Sequence, residues 1–250
     1  MDDTTRARIN LNAVLRTLER LPALDPETAR LVAGPRQTIQ FRAPGVATCR
    51  VVLGGGAISH HGGPGPHTIG LLFPRPVMVN KMFDGTGSPI PTRGLTKISY
   101  LTGPFTQITD RLTRALKPTP ELLADPDYRT ANSTLTLYLA VYALAEIGNS
   151  DDAGRTIASH MADGDIQLAV RNGPALVLTI RDHRLTVTPG MSPHRRARMV
   201  FADLDSAGAV LRGELASYTA IGRELITIGG FVPLLDHMNK LLGLVPRYLS

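Results

Sequence analysis

The sequence predicts an α+β protein of two tandem domains, each a largely antiparallel sheet covered by helices. Three observations support this. The chain has 250 residues, 43% hydrophobic and 19% charged, which suits one large or two ordinary folded domains. Its halves match each other in order at a spacing of about 127 residues. In the second half, short strand-like runs with short connections follow a helical stretch, which favours antiparallel pairing.

The internal repeat is carried by short segments and by glycines. Residues 38–41, Thr-Ile-Gln-Phe, match residues 165–168, Asp-Ile-Gln-Leu. The match extends to three glycine pairs: Gly85 with Gly213, Gly94 with Gly222, and Gly103 with Gly230. A period this long indicates tandem domains rather than a solenoid. Because prolines cluster at 118, 120 and 126, we expect domains over residues 1–118 and 119–250.

Each domain begins with a helical stretch, followed by strands. Leucines recur at helical spacing over residues 11–21, and residues 135–147 are more uniformly apolar. In the second domain Asn172-Gly173 predicts a tight hairpin, and Asp203 or Asp205 caps a helix that ends at Gly213. The expected strands there are 165–170, 175–180, 184–188, 197–201 and 225–228, and the last helix covers 233–242.

Several classes of protein are excluded. The single cysteine, Cys49, rules out an internal disulfide framework and a four-thiolate zinc site. The first twenty residues lack the apolar core of a secretory signal, and the longest apolar stretch is too short to span a bilayer. We therefore expect a cytoplasmic protein.

The second half resembles the sterol carrier protein 2 family of nonspecific lipid-transfer domains. The sharpest part of the match is Leu211-Arg-Gly-Glu-Leu215 with Ala220-Ile-Gly-Arg-Glu-Leu-Ile-Thr-Ile-Gly229, which have a glycine after a helix and another before the final helix. The first half shares the nine-residue glycine spacing but inserts Pro89 and Pro91, so its resemblance is inherited mainly through the repeat.

The resemblance implies two sterol-carrier-like domains, each with a five-stranded sheet and an apolar tunnel for fatty acyl chains, acyl-CoA or sterol-like lipids. The function expected is that of a lipid carrier or transfer protein without a cofactor. In the family the last helix covers the tunnel, which assigns residues 231–242 and 106–116 as lids. Two alternatives stay open: a cofactor-independent enzyme using the same cavity on a hydrophobic or acyl-CoA substrate, and a domain pair that only mediates assembly.

Strand alternation, taken with the resemblance, selects apolar residues as the candidate lipid-binding set. Each of them could equally fill the core. The set is Phe41, Val51, Leu71, Phe73, Met82, Phe83, Leu168, Leu178, Met199, Phe201, Tyr218, Phe231, Leu235 and Met238.

Charge is unequal between the halves. Residues 1–118 hold 15 basic and 7 acidic residues, a net charge of +8, and residues 119–250 hold 12 and 14, a net charge of −2. A basic first half could meet an anionic membrane surface or an acidic carrier protein, or could be a scattered solvated face. Arg195, Arg196 and Arg198 form a candidate phosphate-binding cluster or an exposed loop between strands. No nucleic-acid-binding motif accompanies the charge, and the oligomeric state stays open.

Catalytic and metal sites are not expected. His60, His61 and His67 could in principle hold zinc, but a Gly/Pro-rich loop separates them and offers a poor rigid scaffold. Neither a G-x-S-x-G elbow nor an H-E-x-x-H motif occurs. The absence of a catalytic constellation favours binding over chemistry.

Overall fold

The computed structural model describes residues 2–249 as two compact units, unit 1 ending at Thr119 and unit 2 starting at Pro120. Each unit is α+β with one five-stranded sheet, as predicted. The division falls one residue beyond the boundary expected from the prolines. No helix within residues 2–249 combines the length and the hydropathy that spanning a membrane requires.

Unit 1 opens with helices, forms sheet A and closes with helices. The first helices are α1 (Asp3–Ile9), α2 (Leu15–Thr17), α3 (Leu21–Leu24) and α4 (Pro26–Leu31), with a π-helical segment, Asn10–Val14, between α1 and α2. Sheet A contains β1 (Gln37–Ala43), β2 (Val46–Gly54), β3 (Ala57–Gly62), β4 (Ile69–Leu72) and β5 (Ile90–Arg93), with α5 (Pro76–Phe83) before β5. A 3-10 turn (Leu95–Lys97), α6 (Ile98–Tyr100), a π-helical segment (Leu101–Phe105) and α7 (Thr106–Leu116) follow.

Unit 2 repeats this order around sheet B. It starts with α8 (Pro120–Leu123), α9 (Pro126–Ser150) and α10 (Asp152–Ser159). Sheet B contains β6 (Gly164–Val170), β7 (Ala175–Arg181), β8 (Arg184–Pro189), β9 (Arg195–Phe201) and β10 (Ile226–Gly230). Helices α11 (Leu204–Leu211) and α12 (Ser217–Gly222) lie between β9 and β10, and α13 (Val232–Leu242) and α14 (Pro246–Leu249) end the unit. These bounds agree with the predicted elements to within a few residues.

The two sheets have one topology. Sheet A has the order β3-β2-β1-β4-β5 and sheet B the order β8-β7-β6-β9-β10. Three pairings in each sheet are antiparallel, and the central pairs, β1 with β4 and β6 with β9, are parallel. The sheets are therefore mixed, although largely antiparallel as expected. Strands β1 and β6 are both seven residues long and correspond at the offset of 127.

Aspartates cap five of the helices between residues 2 and 249. Asp203 accepts a hydrogen bond from the amide of Ser206 and caps α11, which decides between the two capping residues that the sequence allowed. An N-terminal carboxylate satisfies free amide groups and interacts favourably with the helix dipole. The same arrangement begins α1, α4, α9 and α10 at Asp2, Asp25, Asp125 and Asp151.

The matched glutamine of the repeat holds the connection that leads to the parallel strand. Gln40 Oε1 accepts a hydrogen bond of 3.1 Å from the amide of Gly65. At the equivalent position Gln167 Oε1 accepts from the amide of Ser192 at 2.8 Å, and its Nε2 donates to the carbonyl of Gly190 at 3.0 Å. Both glutamines are buried. The crossover loops are thus fixed to the sheet by a side chain that the sequence match already contains.

Only one of the three glycine pairs is structurally equivalent. Gly85 and Gly213 both follow the helix before the last strand and both have positive φ, 72° and 78°. This pair is confirmed, because each ends a helix in the left-handed conformation that glycine favours. Gly103 lies inside a helical segment and does not correspond to Gly230.

The partner of Gly230 is Gly94, not Gly103, and the pairing of Gly94 with Gly222 was wrong. Gly94 and Gly230 each lie at the end of the last strand with φ of 78° and 87°. A Cβ at Gly94 would overlap the carbonyl oxygen of Thr68, and one at Gly230 would overlap that of Arg196. Helix α12, which ends at Gly222, has no counterpart in unit 1 and shifts the alignment.

Helix α9 is the centre of the unit 2 core. Residues 132–148 are buried almost without interruption, because α10, α11, α13 and strands β7 and β8 pack around the helix. This explains why residues 135–147 are uniformly apolar rather than amphipathic.

Candidate functional site

A row of apolar side chains crosses unit 2 from its core to its edge. Leu168, Met199 and Ile228 are cross-strand neighbours on β6, β9 and β10. Leu168 is buried, Met199 is half-buried and Ile228 is 40% exposed. Since neighbouring strands lie about 4.8 Å apart, the row spans roughly 10 Å from interior to solvent. We call this set the edge row of unit 2.

Further exposed apolar residues surround the end of this row. Phe231 and Val232 begin α13 directly after β10, and Tyr218 and Ile221 lie on α12, which packs against β10. Tyr218 is 81% exposed and Phe231 40%. Large apolar side chains grouped at one edge of a sheet are a typical feature of a ligand-binding or interaction site. We call β10, α12 and the first turn of α13 the apolar mouth.

The equivalent row in unit 1 ends differently. Phe41 and Leu71 are buried neighbours on β1 and β4, and the next residue across is Pro91 on β5. Proline at an edge strand lacks an N–H and contributes less apolar surface than isoleucine. Because α12 has no counterpart, unit 1 also lacks the second wall of the mouth.

The predicted lipid-binding residues fall into three groups by exposure, and their contact with a ligand remains a prediction. Exposed are Tyr218 and Phe231, at the mouth. Half-buried are Met82, Phe83 and Met199. Fully buried on the inward faces of the sheets or beneath the helices are Phe41, Val51, Leu71, Phe73, Leu168, Leu178, Phe201, Leu235 and Met238. Tyr218 therefore lies at the rim and not on an interior wall.

The arginine cluster lies on strand β9 itself, not in a loop. The Arg196 guanidinium stacks over the Phe231 ring at 4.9 Å and donates to the carbonyl of Asp163. Arg195 Nη1 donates to the carbonyl of Ser192 at 3.3 Å. Arg198 is the neighbour of Gln167, on the face opposite to the edge row. Arg196 stacks on an exposed aromatic side chain of the mouth, whereas Arg198 lies next to Gly229 of β10, and phosphate binding stays a prediction.

The three histidines serve separate local bonds. His60 Nε2 donates to the carbonyl of Leu11 at 2.9 Å, and burial lowers the pKa of His60 to about 4. His61 Nε2 lies 2.9 Å from the Ser59 hydroxyl, and His67 Nδ1 lies 2.7 Å from the carbonyl of Gly65. No group of three or more metal-ligating side chains occurs within residues 2–249.

Sequence reasoning missed three members of the mouth, Ile221, Ile228 and Val232. Ile221 lies on α12, a helix that was not predicted, whereas Ile228 and Val232 lie within or next to the predicted last strand and last helix. The signal for Ile228 was its alternation with Ile226, which places both on the inward face. What the sequence did not reveal was that β10 is an edge strand, so that an inward residue there still reaches solvent.

Comparison with solved structures finds several chains that are similar to this one. The chain is similar to a UbiJ-SCP2 ubiquinone synthesis protein at 14% identity and a TM-score of 0.36, over 45% of this chain and 96% of that one. It is similar to sterol carrier protein 2 like 2 from Aedes aegypti at 14% identity and a TM-score of 0.32, over 45% and 98%. A stereoselective inverting sec-alkylsulfatase from Pseudomonas sp. matches at 13% identity and a TM-score of 0.28, over 60% and 28%. At these identities the likeness concerns the fold alone.

Two of these solved structures are named as sterol carrier protein 2 proteins, the family that the second half of the sequence resembles. No protein-family model and no curated protein matches the chain.

Proposed function

We propose that the protein is a carrier of hydrophobic ligands, and that unit 2 takes up the acyl chain of a lipid or acyl-CoA through the apolar mouth. The observation that carries this proposal is the edge row, in which exposure rises from Leu168 through Met199 to Ile228. A continuous apolar path from core to solvent is what an alkyl chain needs to enter a fold of this kind.

The physical driving force is removal of apolar surface from water. Each buried methylene contributes about 0.8 kcal/mol, so about ten methylenes contribute roughly 8 kcal/mol before the cost of association. Met199 and Met238 lie along the inward side of this region, and methionine adapts its shape to different ligands. We therefore expect the protein to bind acyl chains of many different lengths.

The test is uptake of a fluorescent long-chain fatty acid by the full-length protein. Ile228→Asp and Phe231→Asp place a charge at the mouth, and because both residues are partly exposed the fold should persist. We expect each variant to bind at least about tenfold more weakly, equivalent to about 1.4 kcal/mol. Ile90→Asp, at the exposed edge strand of unit 1, is the matched control and should bind as the unchanged protein does.

A second pair of variants tests the interior. Val51 and Leu178 are equivalent buried positions at the offset of 127. Leu178→Trp should fill the path and abolish uptake, whereas Val51→Trp should not, with circular dichroism confirming that both variants are folded. Unchanged uptake in Ile228→Asp, Phe231→Asp and Leu178→Trp would overturn the proposal. Native mass spectrometry of freshly purified protein would then show whether any lipid co-purifies.

A further inference from the structure

One face of sheet A carries arginines and no acidic residue. A single row crosses all five strands, with His61, Arg50, Gln40, Gly70 and Arg93 as successive cross-strand neighbours. We call the face that carries this row the outer face. On the same face, the adjoining row contains Arg42, Leu72 and Ile90.

The positive charge of this face has no local compensation. The five strands of sheet A contain neither Asp nor Glu, and between Glu27 and Asp110 the chain has one acidic residue, Asp84. That carboxylate is already bound by both terminal nitrogens of Arg6, at 2.8 and 2.7 Å. Within residues 2–249 neither Arg42, Arg50 nor Arg93 forms an ion pair with a carboxylate.

The equivalent face of sheet B is not built this way. Arg42 and Arg50 correspond to Ala169 and Val177 at the offset of 127, and Arg93 corresponds to Gly229. Sheet B also carries a carboxylate of its own, because Asp165 on β6 pairs with Arg181 at 3.4 Å. The same face of sheet B carries Arg184 and Arg198 as well, so what distinguishes sheet A is that none of its five strands contains a carboxylate and that its arginines occupy other positions.

Exposed apolar side chains occur on β5 and in the segment that follows it. Ile90 is on the outer face itself, and Leu95 and Ile98 follow directly after β5. All three are large, and Leu95 is 65% exposed. A positively charged surface bordered by exposed apolar residues is typical of proteins that bind at the interface of an anionic bilayer.

The shape of the patch favours an extended surface over a small soluble anion. Five strands spaced by about 4.8 Å give the row a length of roughly 19 Å, with the exposed side chains of His61 and Arg93 at its two ends and the buried Gln40 bonded to the loop before β4. Arg50 is held by a hydrogen bond from its Nε to the carbonyl of Gly63, whereas Arg42 and Arg93 are exposed and lie on different strands. Such spacing suits several lipid headgroups at once.

We propose that the outer face of sheet A docks unit 1 on a bilayer of anionic phospholipids. The arginines attract the headgroups, and Ile90 inserts at the level of the acyl chains. This role is separate from ligand uptake by unit 2 and does not require it.

Binding of the full-length protein to phosphatidylcholine vesicles, with and without phosphatidylserine, tests this proposal by co-sedimentation. We expect binding only when phosphatidylserine is present, and weakening as salt is raised. Arg42→Gln combined with Arg93→Gln should reduce the partition coefficient about thirtyfold, since each cation contributes about fivefold. The control is Arg184→Gln combined with Arg223→Gln, which removes the same charge from exposed positions of unit 2 and should change binding less than threefold.

Ile90→Ser should lower vesicle binding severalfold without changing its salt dependence, because it removes apolar contact and no charge. Equal loss in the two double variants, or no binding to phosphatidylserine vesicles, would overturn the proposal. Displacement by inorganic phosphate beyond that by sodium chloride of equal ionic strength would also overturn it, in favour of a soluble phosphate ligand. Fatty acid uptake measured without vesicles should be unchanged in both double variants, so failure here is distinct from failure of the carrier function.

Discussion

Unit 1 and unit 2 have the same strand order and differ at the edge where that order ends. In unit 2 the inward row finishes at Ile228, beside α12 and the exposed start of α13. In unit 1 it finishes at Pro91, and the chain reaches β5 without a second helix. The two copies share their strand order but differ at the edge strands β5 and β10, and in this way two copies of one fold can acquire different surfaces.

The packing contact between the first helical stretch and the helix after the fourth strand also differs between the two units. In unit 1 the buried amide of Asn10 donates to Asn80 at 3.1 Å, joining α5 to the first helical stretch. At the position equivalent to Asn80, unit 2 has Gly208, where a Cβ would overlap the hydroxyl of Ser133 on α9. Unit 1 joins its helices by a hydrogen bond between two asparagines, whereas in unit 2 the two helices pack closely against each other at a glycine. Equivalent positions therefore do not imply equivalent chemistry.

The largest expected effect concerns the glycine that both units share. Gly94→Ala and Gly230→Ala should each lower the free energy of unfolding by about 4 kcal/mol, because a Cβ meets a backbone carbonyl and φ is positive. Urea unfolding followed by circular dichroism measures this.

Two glycines serve as controls for that prediction. Gly85→Ala and Gly213→Ala also place alanine at positive φ but in open space, so about 1 kcal/mol is expected from each. Gly222→Ala should be close to neutral. If it were as damaging as Gly230→Ala, the pairing of Gly94 with Gly230 would be wrong and the pairing with Gly222 restored.

The second prediction separates the units by pH. His60 packs inward from β3 with its pKa lowered to about 4, while the equivalent residue of unit 2 is Val187. In the unfolded chain His60 protonates near pH 6.5, so unit 1 should keep full stability above that value. It should then lose up to about 3 kcal/mol as the pH falls toward 4, because only the unfolded state binds the proton there.

Hydrogen exchange resolved by peptides can follow each unit separately between pH 7 and pH 4.5. Asp25, whose pKa is lowered to about 2 mainly by its bond to Arg111, titrates below this window and does not interfere. His60→Val should flatten the pH dependence of unit 1. Equal pH dependence in both units of the unchanged protein would contradict the assignment to His60.

The sequence predicted the frame of the fold better than its edges. Strands β6 to β9 followed from alternation and from the Asn172 turn, which adopts positive φ as expected of a tight hairpin. The glycine pairing failed because an inserted helix, α12, moves Gly222 away from the position that its spacing suggested. Spacing along the chain is a count of residues, and an inserted helix changes that count without changing the order of the strands.

The candidate site was only partly predictable for a related reason. Alternation identified inward residues such as Leu168 and Leu178, but burial at an edge depends on strand order, which needs contacts between distant segments. The arginines of β9 were recognised as a cluster, but the predicted strand began at residue 197 and left Arg195 and Arg196 in a loop, whereas β9 begins at Arg195.

The third prediction compares the two buried glutamines. Gln167→Leu should destabilise unit 2 by about 2 kcal/mol, because it removes bonds to Ser192 and Gly190 and leaves buried groups unpaired. Gln40→Leu should destabilise unit 1 by about 1 kcal/mol, since it removes the bond that Gln40 accepts from the amide of Gly65. The same exchange experiment should show the loop before β9 opening more than the loop before β4. The reverse order would mean that these bonds do not determine loop stability.

The smallest expected effect is at the mouth itself. Arg196 stacks on Phe231, and its equivalent in unit 1, Thr68, offers no such contact. Arg196→Gln should destabilise unit 2 by less than about 1 kcal/mol, the range of a partly exposed cation–π pair, and leave unit 1 unchanged. If this stacking positions Phe231 for ligand entry, fatty acid affinity should fall two- to threefold, whereas Arg198→Gln, which alters the opposite face, should leave it as it was. Equal affinities in both variants would show that Phe231 is held by α13 and β10 without help from the arginine.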